Sequence, residues 1–272
     1  MFKLSVAEVR LCQTGSTKVV DAKYTAKNMG KERIMGIPNS YSTQLPDRCH
    51  DLLMLLLPIV QADKRTAARH RGALTTTLTL ALATPMLTVP IERIQKYLGQ
   101  DEGYADERFM SPELAQKIEV AIQGKKLQDH PIFSELGWCF LQQVPPFNVA
   151  HGLPNKHAEA LSSQAAREAA LDLTFETFLN CIRNGLSHGG VVYLDERGRT
   201  SVGEASMLCF VSARQDRTTP HCDNRHGRRC PTVVPKIRDL RLLRISESDF
   251  REFLGRWVEW LVQSELASIA AE

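Results

Sequence analysis

The chain has 272 residues, long enough for one large domain or two small ones. Hydrophobic residues at 43% and charged residues at 24% are ordinary for a soluble globular protein and point to no special class. A net charge of +3 is too small to argue for a nucleic-acid partner by itself.

In the first forty-five residues Phe2, Leu4 and Val6 alternate, and Val9 and Leu11 resume the pattern after a slip. This predicts one or two short strands, set apart from a helical domain over residues 46–272. Lys3, Glu8 and Arg10 interrupt any apolar run after Met1, and the seven cysteines are scattered and odd in number. Both features read as a cytoplasmic protein with free thiols. Helical character begins at Asp47, and Pro58 interrupts the apolar run 52–60. A second helix is expected from Asp63 to about Thr84. Residues 72–91 carry no charge, but they hold six threonines with Pro85 and Pro90, so a buried helix ending near Pro85 is favoured over a membrane span. Pro90 then stands at the head of a further helix, where its missing N–H is tolerated.

Ser111-Pro112-Glu113 is a helix start, and residues 129–142 read as another short helix before Pro145-Pro146. The longest helix is expected over 156–186. Its apolar positions Leu171, Phe175, Phe178, Leu179, Ile182 and Leu186 fall on one face, and Gly189-Gly190 stops it. Residues 191–194 and 207–211 read as two strands joined by a turn at 195–199, and 240–245 as a third. Ser246 with Asp249 resembles a capping box and opens a last amphipathic helix. The whole reads as mainly α, with a small β-hairpin or sheet after the long helix.

The most specific chemistry lies where that helix ends, at Arg183-Asn184-Gly185-Leu186-Ser187-His188-Gly189-Gly190. Spacing alone is weak, because Arg65 to His70 has the same gap and Arg214 to His221 a similar one. Context separates them: His70 sits on a solvated basic face and His221 in a loop. Only Arg183 and His188 end a strongly buried helix, which is a rigid platform for reacting groups. Five residues turn an α-helix roughly 140° past one full turn. Arg183 and His188 therefore face apart on a straight helix. Either the helix unwinds at Gly185, or two copies of it meet across a dimer; the second is favoured.

The octapeptide, set between a helix and a hairpin, resembles the HEPN superfamily, whose mark is Arg-x4–6-His with a polar residue after the arginine. Arg183, Asn184 and His188 match those positions, and the likeness extends to the hairpin, the closing helix and Pro90-Ile91-Glu92-Arg93-Ile94. Gly185 departs from the expected alanine. The resemblance implies a HEPN-like helical bundle, a homodimer, and a metal-independent endoribonuclease with no cofactor, in a toxin–antitoxin or phage-defence setting with a matching partner. Its alternative is a non-catalytic HEPN-like module that binds RNA or protein. In the catalytic reading His188 moves a proton on or off the 2′-OH or the leaving 5′-oxygen. Arg183 holds the phosphate and Asn184 supports it. The products are a 2′,3′-cyclic phosphate and a 5′-hydroxyl.

Residues 214–244 carry nine basic side chains against three acidic ones. Arg214, Arg217, Arg225, Arg228 and Arg229 make a candidate RNA-tracking strip. His221, Cys222, His226 and Cys230 are zinc-binding residue types, but adjacent His-Cys strains a tetrahedral site and no Cys-x2-Cys knuckle is present. Zinc is thus the minor reading of that loop. Cys181 reads as a packed thiol, and Trp257 and Trp260 as core or a dimer contact.

Overall fold

The structure is a computed structural model, and it describes residues 44–97, 120–215 and 237–263. Helices α1 (Gln44–Ala62), α2 (Lys64–His70) and α3 (Thr75–Tyr97) come first. Two 3-10 turns, Leu127–Asp129 and Pro131–Phe133, lead to strand β1 (Cys139–Val144). Next come α4 (Asn155–Leu161), α5 (Gln164–Leu171) and α6 (Phe175–Ser187). Strands β2 (Val191–Leu194), β3 (Met207–Gln215) and β4 (Ile237–Ser246) precede α7 (Glu247–Gln263). The fold is mainly helical, as expected. The strands exceed a hairpin and form one antiparallel sheet in the order β1-β4-β3-β2.

Period-two alternation gives this sheet two buried faces. Phe210 lies opposite Val191 and Leu243, and Leu243 opposite Phe140. That face packs on α3, α6 and α7 in one large core. The intervening residues, Cys139, Cys209, Val211 and Leu242, face a smaller cluster with Ala158 and Leu161 of α4 and Ala166 of α5. Helix α6 joins the large core through Phe175, Phe178, Leu179 and Ile182, all at most 2% exposed. Each such side chain contributes about 1.5–3 kcal/mol of burial.

Four local expectations are corrected. The helix expected over 156–186 is three helices, because the Ser163 and Thr174 hydroxyls accept the N–H groups of Ala166 and Thr177 and start new helices there. Residues 129–142 hold the end of the first 3-10 turn, the whole of the second and most of β1, whose Cys139 and Phe140 pair with Arg244 and Leu243 of β4. The helix expected from Asp63 stops at His70: Asp63 caps α2, and Arg71 ends it in a left-handed conformation, φ 60°. Finally, α1 runs on through Pro58, and α3 runs unbroken through both Pro85 and Pro90.

Proline inside a helix removes one i→i−4 hydrogen bond and costs about 3 kcal/mol. At Pro90 the orphaned acceptor is the carbonyl of Met86. Trp257 of α7 donates to it from Nε1 at 2.9 Å, so a distant helix replaces the missing donor. Trp257 is fully buried in the core; Trp260 is half-buried and packs against that core, its ring 5.2 Å from that of Trp257 and tilted 36° to it. The expected start of α7 holds in part: the Asp249 N–H donates to Ser246 Oγ at 3.0 Å, while the Asp249 carboxylate accepts from the Gly137 N–H. Among the described residues no single helix is long and apolar enough to cross a membrane. The expected N-terminal strands up to residue 43 and the helix start at Ser111 lie outside the described residues.

Candidate active site

Helix α6 ends in a tight, well-determined way. His188 is its cap residue, and its N–H donates to the Asn184 carbonyl at 3.1 Å. Gly189 then turns left-handed, φ 67°, and the Gly190 N–H returns to the Gly185 carbonyl at 2.7 Å. The helix does not unwind at Gly185. That glycine is instead a point of close approach: a Cβ there would stand 3.0 Å from Cβ of Phe210 on β3. An alanine there would require Phe210 or the helix to give by a few tenths of an ångström.

Arg183, Asn184 and His188 nevertheless line one cleft of about 770 Å³ within a single chain. The angular argument for opposite directions therefore fails. His188 has left the helical path at the cap, φ −105° and ψ 8°, and the helix need not break for both residues to reach the cleft. The remaining walls come from the end of the sheet, with Arg214 and Gln215 of β3 and Leu240 and Arg241 of β4, and from Phe147 and Val149.

Each polar group has a definite anchor. Arg183 is half-buried; its Nη1 stands 3.2 Å from Glu92 Oε1 and donates to Gln95 Oε1. Gln95 is buried, and its other amide atom, Nε2, donates to Asn180 Oδ1 at 2.7 Å. Residues of α3 thus hold the arginine from behind. Asn184 Nδ2 donates to the buried Ser212 Oγ at 3.1 Å and so ties α6 to β3. His188 is exposed at the rim. Arg214 pairs with Asp239 at 3.5 Å, and Asp239 also lies 3.7 Å from Arg238. Asp239 Oδ1 and Arg241 Nε are buried with no hydrogen-bond partner. Three arginines and a histidine thus line the cleft, with Glu92 paired to Arg183 and Asp239 to Arg214.

Cys181 is fully buried in α6, and burial pushes its thiol up to about 11 against the opposing pull of Arg241. It is a packed thiol, as expected, and no nucleophile. Cys49, Cys139, Cys181 and Cys209 are all unpaired and buried. His70 ends the exposed basic helix α2 beside Arg69 and lines a separate, smaller cleft of about 230 Å³ with Tyr193 and Glu204. Of the basic strip, Arg214 lies in the cleft, while Arg217, Arg225, Arg228 and Arg229 lie outside the described residues. So do His221, Cys222, His226 and Cys230. Among the described residues no group of three or more potential metal ligands occurs.

Glu92, Gln95 and Phe147 were not singled out as site residues from the sequence, whereas Arg241 stands within the basic stretch 214–244. Glu92 and Gln95 do share a helix face at i, i+3, the one local signal available. No family model, curated protein or solved structure matches the chain.

Proposed function

We propose that the chain is a HEPN-like, metal-independent endoribonuclease. The supporting observation is that Arg183, Asn184 and His188 line one cleft with Arg214 and Arg241. RNA carries its own nucleophile, so the reaction needs a proton acceptor and charge stabilisation. His188 takes the proton of the 2′-OH as that oxygen bonds to phosphorus. The bond from phosphorus to the 5′-oxygen breaks, and the leaving oxygen takes a proton from water. Arg183 stabilises the charge that builds on the phosphate, and Arg214 and Arg241 hold neighbouring phosphates. The products are a 2′,3′-cyclic phosphate and a 5′-hydroxyl. The reading extends to a homodimer working in the cytoplasm, in a toxin–antitoxin or phage-defence setting.

The test is cleavage of mixed RNAs in EDTA. Activity should persist there and fall about 10²–10⁴-fold in His188→Ala. Equal cleavage by that variant would remove His188 from the chemistry. One observation favours a second reading, a non-catalytic module that binds RNA or a protein: Arg183 is already engaged by Glu92 and Gln95. That reading expects salt-sensitive binding without cleavage in wild type and variant alike.

A further inference from the structure

The cleft has two chemically different ends. Arg183, Asn184 and Arg241 belong to the α6 side of the sheet, whereas Leu240, Val149 and Phe147 belong to the cluster on the α4 and α5 side. The cleft joins them by wrapping round the end of β3. Strand β2 ends its pairing at Val191 opposite Phe210, and the Val211 N–H donates to the Gly190 carbonyl at 2.7 Å. Beyond that bond, among the described residues, β3 has no strand partner on this edge.

Phe147 is half-buried and follows Pro145-Pro146, whose rings restrict the approach of the chain. Its ring stacks on His157 at 5.6 Å with 25° between the planes. The ring is thus fixed in orientation while it still lines the cleft. A volume of about 770 Å³ is also more than a phosphate group alone requires, and lies in the range of sites for whole small molecules, about 300–1,000 Å³. An apolar wall gives a second phosphate nothing, but it suits a flat ring held beside its own anion.

We infer that Phe147, with Val149 and Leu240, is the platform for one unpaired nucleobase whose phosphate lies on the cleft arginines. This rests on the proposed RNA-binding reading and deepens it to a single-stranded segment. A base inside a duplex is already stacked and paired, so it does not reach Phe147.

The probe is a fluorescent 2′-O-methyl octa-adenylate, which binds without being cleaved because its 2′-oxygen is blocked. Its partners are an abasic strand with the same number of phosphates and the octamer annealed to its complement. Wild type should bind the single strand about 5- to 100-fold more tightly than the abasic strand, the range that one stacked base provides. Phe147→Leu should erase that difference and leave abasic binding unchanged, and Phe147→Trp should preserve it. The duplex should behave like the abasic strand. Equal binding of both strands by wild type overturns the proposal with no variant needed, as does a Phe147→Leu protein that still prefers the base. Absence of binding to any strand overturns it too. The ribonuclease reading fails separately, through His188→Ala and unmodified RNA.

Discussion

Arg241 and Arg244 stand on one strand, β4, and serve opposite faces of the sheet. Arg244 lies opposite Cys139 and Cys209 on the side of the small helices and is 7% exposed. Among the described residues its guanidinium meets only neutral acceptors: the Leu161 carbonyl and Ser162 Oγ, each at 2.9 Å, with Cys139 Sγ at 3.5 Å. Arg241 lies opposite Ser212 on the α6 side and lines the cleft together with Arg183 and Arg214. On one face, then, an arginine is sealed in and works as a bolt between β4 and the α4–α5 junction. On the other, arginines gather where a ligand can reach them. Burial and the kind of partner, rather than charge itself, separate the structural cation from those proposed to bind a ligand.

The largest effect that tests this contrast is on stability. Arg244→Met keeps much of the side-chain volume but leaves the Leu161 carbonyl and the Ser162 hydroxyl without their donor. The expected loss is about 2–4 kcal/mol, the range for breaking several buried hydrogen bonds at once. For a domain of this size that lowers Tm by roughly 5–15 °C. Arg183→Met should cost less, about 1–2 kcal/mol: it takes one donor from the buried Gln95 Oε1, while its ion pair with Glu92 is screened, with side chains 27% and 43% exposed. Calorimetry of the two variants decides the matter. Equal losses would break the distinction between bolt and working group.

A pair of glycine variants sharpens it further. Gly198 and Gly189 both have left-handed backbones, φ 73° and 67°, so alanine costs each roughly 1 kcal/mol. A Cβ at Gly189 would meet nothing within 4 Å, whereas a Cβ at Gly198 would stand 2.6 Å from Nη1 of Arg244. If Arg244 is pinned, Gly198→Ala must displace it and lose about 1–3 kcal/mol more than Gly189→Ala. Matched losses in urea unfolding would mean that Arg244 simply swings aside.

These contrasts also show which parts of the molecule could be read in advance. Strands β2, β3 and β4, the turn at Asp195 and helix α7 follow from local alternation, glycine placement and capping. The Asp195 turn is a local device: Oδ1 accepts from the N–H groups of Arg197 and Arg199, both at 2.9 Å. The features that escaped are held by distant partners. The passage of α3 through Pro90 depends on Trp257, 171 residues from Met86. Strand β1 exists because β4 accepts it, and a short apolar stretch carries no mark that tells a strand from a helix. At the cleft, the ending of α6 was legible through its apolar stripe and glycine pair. The anchors of Arg183 were not, because Gln95 lies 88 residues away.

The smallest effect compares the two faces through pH. His130 sits in the large core among Phe133, Phe175 and Trp260, with ring centroids 5.0–6.0 Å apart, and burial lowers its pKa. His157 stacks on Phe147 on the other face; burial, and then the charge of Lys156, lower its pKa too. In the unfolded chain both titrate near 6.5. As the pH falls through that value the unfolded state binds protons first, so stability must drop, and the drop continues until the folded pKa of each is reached. Unfolding followed from pH 8 to pH 5 should therefore show a falling Tm. His130→Phe, which keeps a ring in the aromatic cluster, should flatten part of the slope. His157→Phe should flatten another part, and the two should add because they occupy different cores. If His130→Phe leaves the slope unchanged while His157→Phe removes it, the acid sensitivity belongs to the α4–α5 side of the sheet alone, where the Phe147 ring and the proposed base subsite depend on that stack.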